Sequence, residues 1–90
     1  MKKRLAALFA GTVQGVGFRF TAERLARRYP VTGYVKNLPN GKAEIMAEGE
    51  EKSLQDFLAA VREAFHAYIR DTQISWSDAG GDFNQFGITF

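Results

Sequence analysis

The chain has no cysteine, which removes two classes of site: no disulfide framework can staple it, and no thiolate can hold a metal. Its lone histidine, His66, cannot form a histidine-rich metal site, so no metal and no metal cofactor are expected. A cysteine-free chain suits a reducing cytosol, and a cytoplasmic location is expected. No stretch approaches the roughly 20 apolar residues that a membrane span needs, so no membrane partner is expected either. Low-complexity segments, linkers and internal repeats are also missing. The 90 residues, 46% hydrophobic, therefore read as a single domain, 1–90, with a modest core near the small end of what folds unaided.

The start, MKKRLAALFAG, mimics an export signal in having a basic beginning and then apolar residues. The apolar stretch is short, however, and passes straight into Thr12, Gln14 and a glycine-rich loop. A strand is the expected outcome. Charge is unevenly spread: residues 1–45 carry nine Lys/Arg against Glu23 and Glu44, and residues 46–90 carry three against eight acids, for a net +2. Such asymmetry has two readings, an anionic partner near the first half or solvated helix and strand faces.

Apolar periodicity organises the rest. RLAALFAG reads as a first strand ending at Gly11. Phe18, Ala22, Leu25, Ala26 and Tyr29 recur at helical spacing, with Glu23, Arg24, Arg27 and Arg28 on the other side and Pro30 as the stop. TGYVKNL is a second strand, PNGK a turn and AEIMAEG a third strand, with Ala43, Ile45 and Ala47 buried and Glu44, Met46 and Glu48 wet. A longer helix opens at Glu50 and Glu51 and carries Leu54, Phe57, Leu58, Val61, Phe65 and Tyr68 as its apolar stripe. TQISWSD reads as a fourth strand, with Ile74 and Trp76 on one face. FNQFGITF reads as a last strand or an extended tail, with Phe86, Ile88 and Phe90 in alternation. This order predicts an α+β, ferredoxin-like βαββαβ sandwich: an antiparallel sheet with two helices on one face. That fold alone decides no function.

The stretch GTVQGVGFRF, residues 11–20, is the most informative. It joins a strand to a helix, where several backbone N–H groups have no partner and the helix dipole favours an anion. Gly15 and Gly17 let the backbone curl close to a ligand. Arg19 adds a permanent charge and a planar fork of donors suited to phosphate oxygens. The spacing is neither a Walker A loop nor GxGxxG. From these residues alone, a phosphate cradle and a tight structural turn with a surface arginine both stand.

GTVQGVGFR together with TGYVKNLPNGKAEIMAEG resembles the acylphosphatase family over roughly residues 5 to 62, and VQGVGFR followed by GYVKN is specific to that family. The resemblance implies hydrolysis of the carboxyl–phosphate bond of small acyl phosphates without metal or organic cofactor. It implies that the backbone of Gln14, Gly15, Val16, Gly17 and Phe18 wraps the phosphate, that Arg19 binds it and that Asn37 orients the attacking water. The residue chemistry is compatible. Asparagine cannot take a proton at neutral pH, but an acyl phosphate expels a carboxylate whose conjugate acid has a pKa of about 4, so no general acid is needed. Tyr34 stands where relatives commonly have tryptophan, and FHAYIRDTQ lacks their Gly-Pro loop, which leaves the register of the fourth strand open. Thr21 is a candidate to cap the first helix or line the site, while Asn40 is assigned to the turn and His66 to the surface.

Rival readings are weaker. RNA-recognition domains share this element order and stack bases on central-strand aromatics, but the third strand presents Glu44, Met46 and Glu48, and no nucleic-acid partner is expected. A non-catalytic binder of phosphate or carbamoyl phosphate, or the acylphosphatase-like part of a larger maturation enzyme, remains the alternative. A small acyl phosphate is the expected partner, and a monomer suffices.

Overall fold

In the computed structural model, which describes all of residues 1–90, the apolar residues behind the basic start form strand β1 (Lys2–Gly11). Helix α1 (Phe18–Ala26), strands β2 (Thr32–Asn37) and β3 (Ala43–Glu50), helix α2 (Glu51–Ala64), and strands β4 (Ile69–Asp78) and β5 (Phe86–Thr89) follow. The five strands make one sheet in the order β4-β1-β3-β2-β5. The stretch resembling an export signal is thus an inner strand, paired antiparallel to β3 and to β4. The ferredoxin-like arrangement is present, and no helix is long and apolar enough to cross a membrane.

One face of the sheet carries the core. Alternation in β1 buries Leu5, Ala7 and Phe9, and the register places them opposite Ala47, Ile45 and Ala43 of β3, so these side chains share a face. Phe18, Ala22 and Ala26 of α1 and Leu54, Phe57, Leu58 and Val61 of α2 close over them. Helix α1 ends at Ala26, and the chain turns through residues 27–30 to Pro30.

Three particulars differ from the sequence expectation. The last segment is a true strand, and β5 runs parallel to β2, so the sheet has one parallel pair and is mixed. Alternation identifies which face a residue takes, not which strand it lies beside. Helix α2 stops at Ala64, because Phe65 turns into the core and its carbonyl accepts from the N–H groups of both Tyr68 and Ile69. Tyr68 consequently falls past the helical stripe and is 45% exposed, and β4 begins at Ile69, earlier than expected.

Glu48 is the third correction: it faces away from the core as its alternation requires, yet it is buried. Residues 79–82 fold back over it. Its carboxylate accepts from the backbone N–H of Gly80 at 2.9 Å and of Gly81 at 3.0 Å, and from Arg4 Nε at 2.7 Å. Arg4 also pairs with Asp82 and lies against the Phe83 ring. Burial alone pushes the Glu48 carboxyl up, but the Gly80 N–H, the Arg4 guanidinium and the Gly81 N–H together outweigh it and hold the group below its ordinary value of 4.5. A carboxyl held low in the folded state contributes stability that is fully present above the unfolded value and is lost as pH falls through the folded one. Glu48→Gln is therefore expected to lower the urea midpoint at pH 7 and to flatten its dependence on pH below 4.5; an unchanged acid limb in the variant would assign that limb to other groups.

Candidate active site

Two buried side chains clamp the loop between β1 and α1. Val13 is fully buried, and Phe18 packs its ring 5.2 Å from that of Phe9 and 4.9 Å from that of Phe65. Between these anchors the chain turns tightly, with Gly15 at φ +81° and Gly17 at φ +77°. No L-side chain adopts such angles readily, and a Cβ at either position would stand in open space, so backbone conformation and not crowding selects glycine here. Gly17 is also the N-cap of α1, which has no side-chain cap; Thr21 therefore does not cap it.

Backbone donors are left over by this geometry. The N–H groups of Val13 to Gly17 lie outside every helix and strand, and none donates to another backbone carbonyl. The first-turn N–H groups of α1 follow directly behind them. Such a run of unpaired donors at a helix N-terminus is suited to an anion.

The loop is held against the other half of the fold by a side chain whose role the sequence did not disclose. Gln14 Nε2 donates to the carbonyls of Leu38 at 2.7 Å and Lys42 at 3.0 Å, both in the β2–β3 turn. That turn is closed by Leu38 N–H to the Lys42 carbonyl and by Asn40 Oδ1, which accepts from Lys42 N–H, so Asn40 has a turn role. Asn37 stands at the end of β2 just before it. Being two residues on from the fully buried Val35, it points to the helix side of the sheet.

Gly15, Gly17, Phe18, Arg19 and Asn37 consequently line one cleft of about 370 Å³. Gln14 and Val16 do not line it: the first is engaged with the turn and the second packs on the core. Arg19 is half-buried, and none of the ion pairs in the chain involves it. Its guanidinium carbon lies 4.9 Å from the centroid of the Phe90 ring, which braces one face and leaves the donor edges open. Asn37 lines this cleft, and its Oδ1 is buried and accepts no hydrogen bond from the protein.

A sequence model of the acylphosphatase family matches residues 5–88. The chain belongs to the acylphosphatase family. It is 40% identical to an acylphosphatase of Salinibacter ruber across 97% of this chain and 93% of that one, and 37% identical to an acylphosphatase of Thermus thermophilus across 87% and 90%. Its structure resembles the crystal structure of acylphosphatase from Bacillus subtilis, with a TM-score of 0.90, 33% identity and coverage of 98% and 99%. It also superposes on 12% of full-length HypF in a phosphate- and nucleotide-bound form, with a TM-score of 0.88 and 28% identity. The chain is thus an enzyme of acyl-phosphate hydrolysis, and it spans nearly the whole length of these acylphosphatase relatives.

Other titratable residues lie elsewhere in this acylphosphatase fold. His66 is exposed beyond α2, with Nδ1 3.3 Å from the Glu63 carbonyl and no part in the cleft. Nowhere do three His, Asp or Glu side chains converge as metal ligands would. Tyr34 donates to Glu44 at 2.8 Å on the opposite face; burial first, and that bond second, push its hydroxyl up to about 12. The residues missed from sequence are the apolar ones that complete the cleft: Phe20, Ile88 and Phe90. The alternation of Phe86, Ile88 and Phe90 was visible, but only the pairing of β5 with β2 brings the last two beside Arg19 and Asn37.

Proposed function

We propose that the cleft hydrolyses small acyl phosphates without a metal or organic cofactor: the backbone of residues 14–18 and Arg19 hold the phosphate, and Asn37 directs the attacking water. The observation carrying this reading is that Asn37, Arg19 and the loop glycines line one cleft, with the loop N–H groups left unpaired by the backbone. The Asn37 amide can accept a hydrogen bond from a water through its oxygen or donate one through its NH2 group, which fixes the water's position and orientation.

The reaction then needs little proton chemistry. The water oxygen forms a bond to phosphorus as the bond from phosphorus to the acyl oxygen breaks. The electron pair leaves with the carboxylate, which needs no acid at neutral pH. The water proton passes to a phosphate oxygen, so the products are a carboxylate and dihydrogen phosphate. Charge on the transferring group is held by the loop N–H groups and by Arg19, and catalysis is mostly positioning and electrostatic stabilisation. Every group required comes from one chain, so a monomer is sufficient, and the cysteine-free sequence fits the cytosol as its compartment.

The same chemistry sets a limit. Phosphate monoesters release alkoxides or phenoxides, which need protonation, and the cleft offers no general acid. In the presence of EDTA the enzyme is expected to release phosphate from benzoyl phosphate at a rate at least about 10³-fold above that from phenyl phosphate, given that a positioned acid is typically worth 10²–10⁴-fold. Dependence on added divalent metal, or comparable turnover of the ester, would contradict the reading.

A further inference from the structure

The charged half of the cleft is only one of its walls. Of the residues that line it, those not committed to the phosphate or the water are apolar, and two are unusually open: Phe20 is 72% exposed and Phe90 89% exposed. Phe20 follows Arg19 on the first turn of α1, while Ile88 of β5 alternates with Phe86, which packs on Phe57 5.3 Å away, and Phe90 directly follows the strand. The Phe90 ring already lies over the Arg19 guanidinium. Two exposed aromatic rings therefore line the cleft from opposite parts of the chain, together with Ile88 of β5. Isolated exposed aromatics are ordinary on a surface; aromatics that share a cleft with Arg19, Asn37 and a loop of unpaired N–H groups are not.

The geometry points to an acyl subsite formed by Phe20, Ile88 and Phe90 that selects apolar, above all aromatic, acyl phosphates over short or polar ones. This rests on the phosphate-binding reading of the loop. With the phosphate against the loop and Arg19, the acyl group is one bridging oxygen away and must lie among the remaining lining residues. Those residues give a phenyl ring two faces to stack on and an aliphatic wall. They give a carbamoyl NH2 or an anionic substituent no hydrogen-bond partner, so such a group gains nothing from this wall, and the preference comes from the apolar contacts that a ring makes and a polar group does not. The methyl of acetyl phosphate is too small to reach both rings.

The test compares kcat/KM for benzoyl, acetyl and carbamoyl phosphate in the wild type, Phe20→Ala and Phe20→Leu. The wild type is expected to favour benzoyl over acetyl phosphate by about 10- to 100-fold, the range that one or two buried apolar groups supply. Phe20→Ala should lower that ratio about tenfold, and Phe20→Leu should restore part of it; a merely structural role for Phe20 would lower all three substrates alike. Since the side chain is exposed, its removal leaves the fold intact, which circular dichroism checks. Hydrolysis of all three at similar kcat/KM, or a ratio unmoved by Phe20→Ala, would overturn the subsite and leave the hydrolase reading standing. Failure to hydrolyse any of them would overturn both.

Discussion

Arg19→Ala should lower kcat/KM for acyl-phosphate hydrolysis by at least about 10²–10³-fold, the effect of losing one preorganised donor where transition-state charge develops. The loss should appear in both terms, because the guanidinium holds the phosphate before and during transfer, and weaker competitive inhibition by inorganic phosphate would report the ground-state part. Arg19→Lys keeps the charge but loses the fork, the fixed plane and much of the stacking on Phe90, and should recover only a minor part of the activity. Folding is a separate matter. Arg19 is half-buried and unpaired with any carboxylate, so its removal should move the urea midpoint little. An inactive Arg19→Ala that had also unfolded would say nothing of catalysis; an active, folded one would exclude this arginine from the phosphate site.

Asn37→Ala should separate activity from stability more sharply still. Its expected loss is on the order of 10²-fold or more in kcat, with phosphate inhibition nearly unchanged, because a residue that places the water does not hold the phosphate. Stability should stay level. Asn37 Oδ1 is buried and accepts no hydrogen bond from the protein, so alanine removes no intramolecular bond of that atom and leaves the β2–β3 register intact. A marked fall in the thermal midpoint of Asn37→Ala would show instead that the amide is structural.

Legibility from sequence varied with the range of the contacts. Period-two alternation in AEIMAEG located the buried Ala43, Ile45 and Ala47, and helical spacing located Phe18, Ala22 and Ala26, because these patterns are local. The glycine loop and Arg19 were visible for the same reason: a strand end, a helix start and the conformational needs between them occupy ten adjacent residues. Gathering Asn37 into the same cleft is tertiary. It depends on β2 pairing with β3 and on Gln14 bridging the loop to the turn beyond Asn37, and only the family motif hinted at it. Burial of Glu48 was hidden because the residues covering it, 79–82, lie more than thirty positions away and carry no apolar signal. The aromatic mouth was hidden because Phe20 and Phe90 come from opposite ends of the chain. Each miss concerns which distant segment arrives at a site, and periodicity holds no information on that.

The central claim is that the loop and Arg19 present phosphorus, and not the acyl carbon, to a water aligned by Asn37. Hydrolysis of benzoyl phosphate in water enriched in oxygen-18, followed by mass spectrometry of both products, tests it most directly. The heavy oxygen should appear in inorganic phosphate, leaving benzoate unlabelled. Label in benzoate would mean that water attacks the carbonyl, and the cradle would then be holding a leaving group, with Asn37 aimed at the wrong atom.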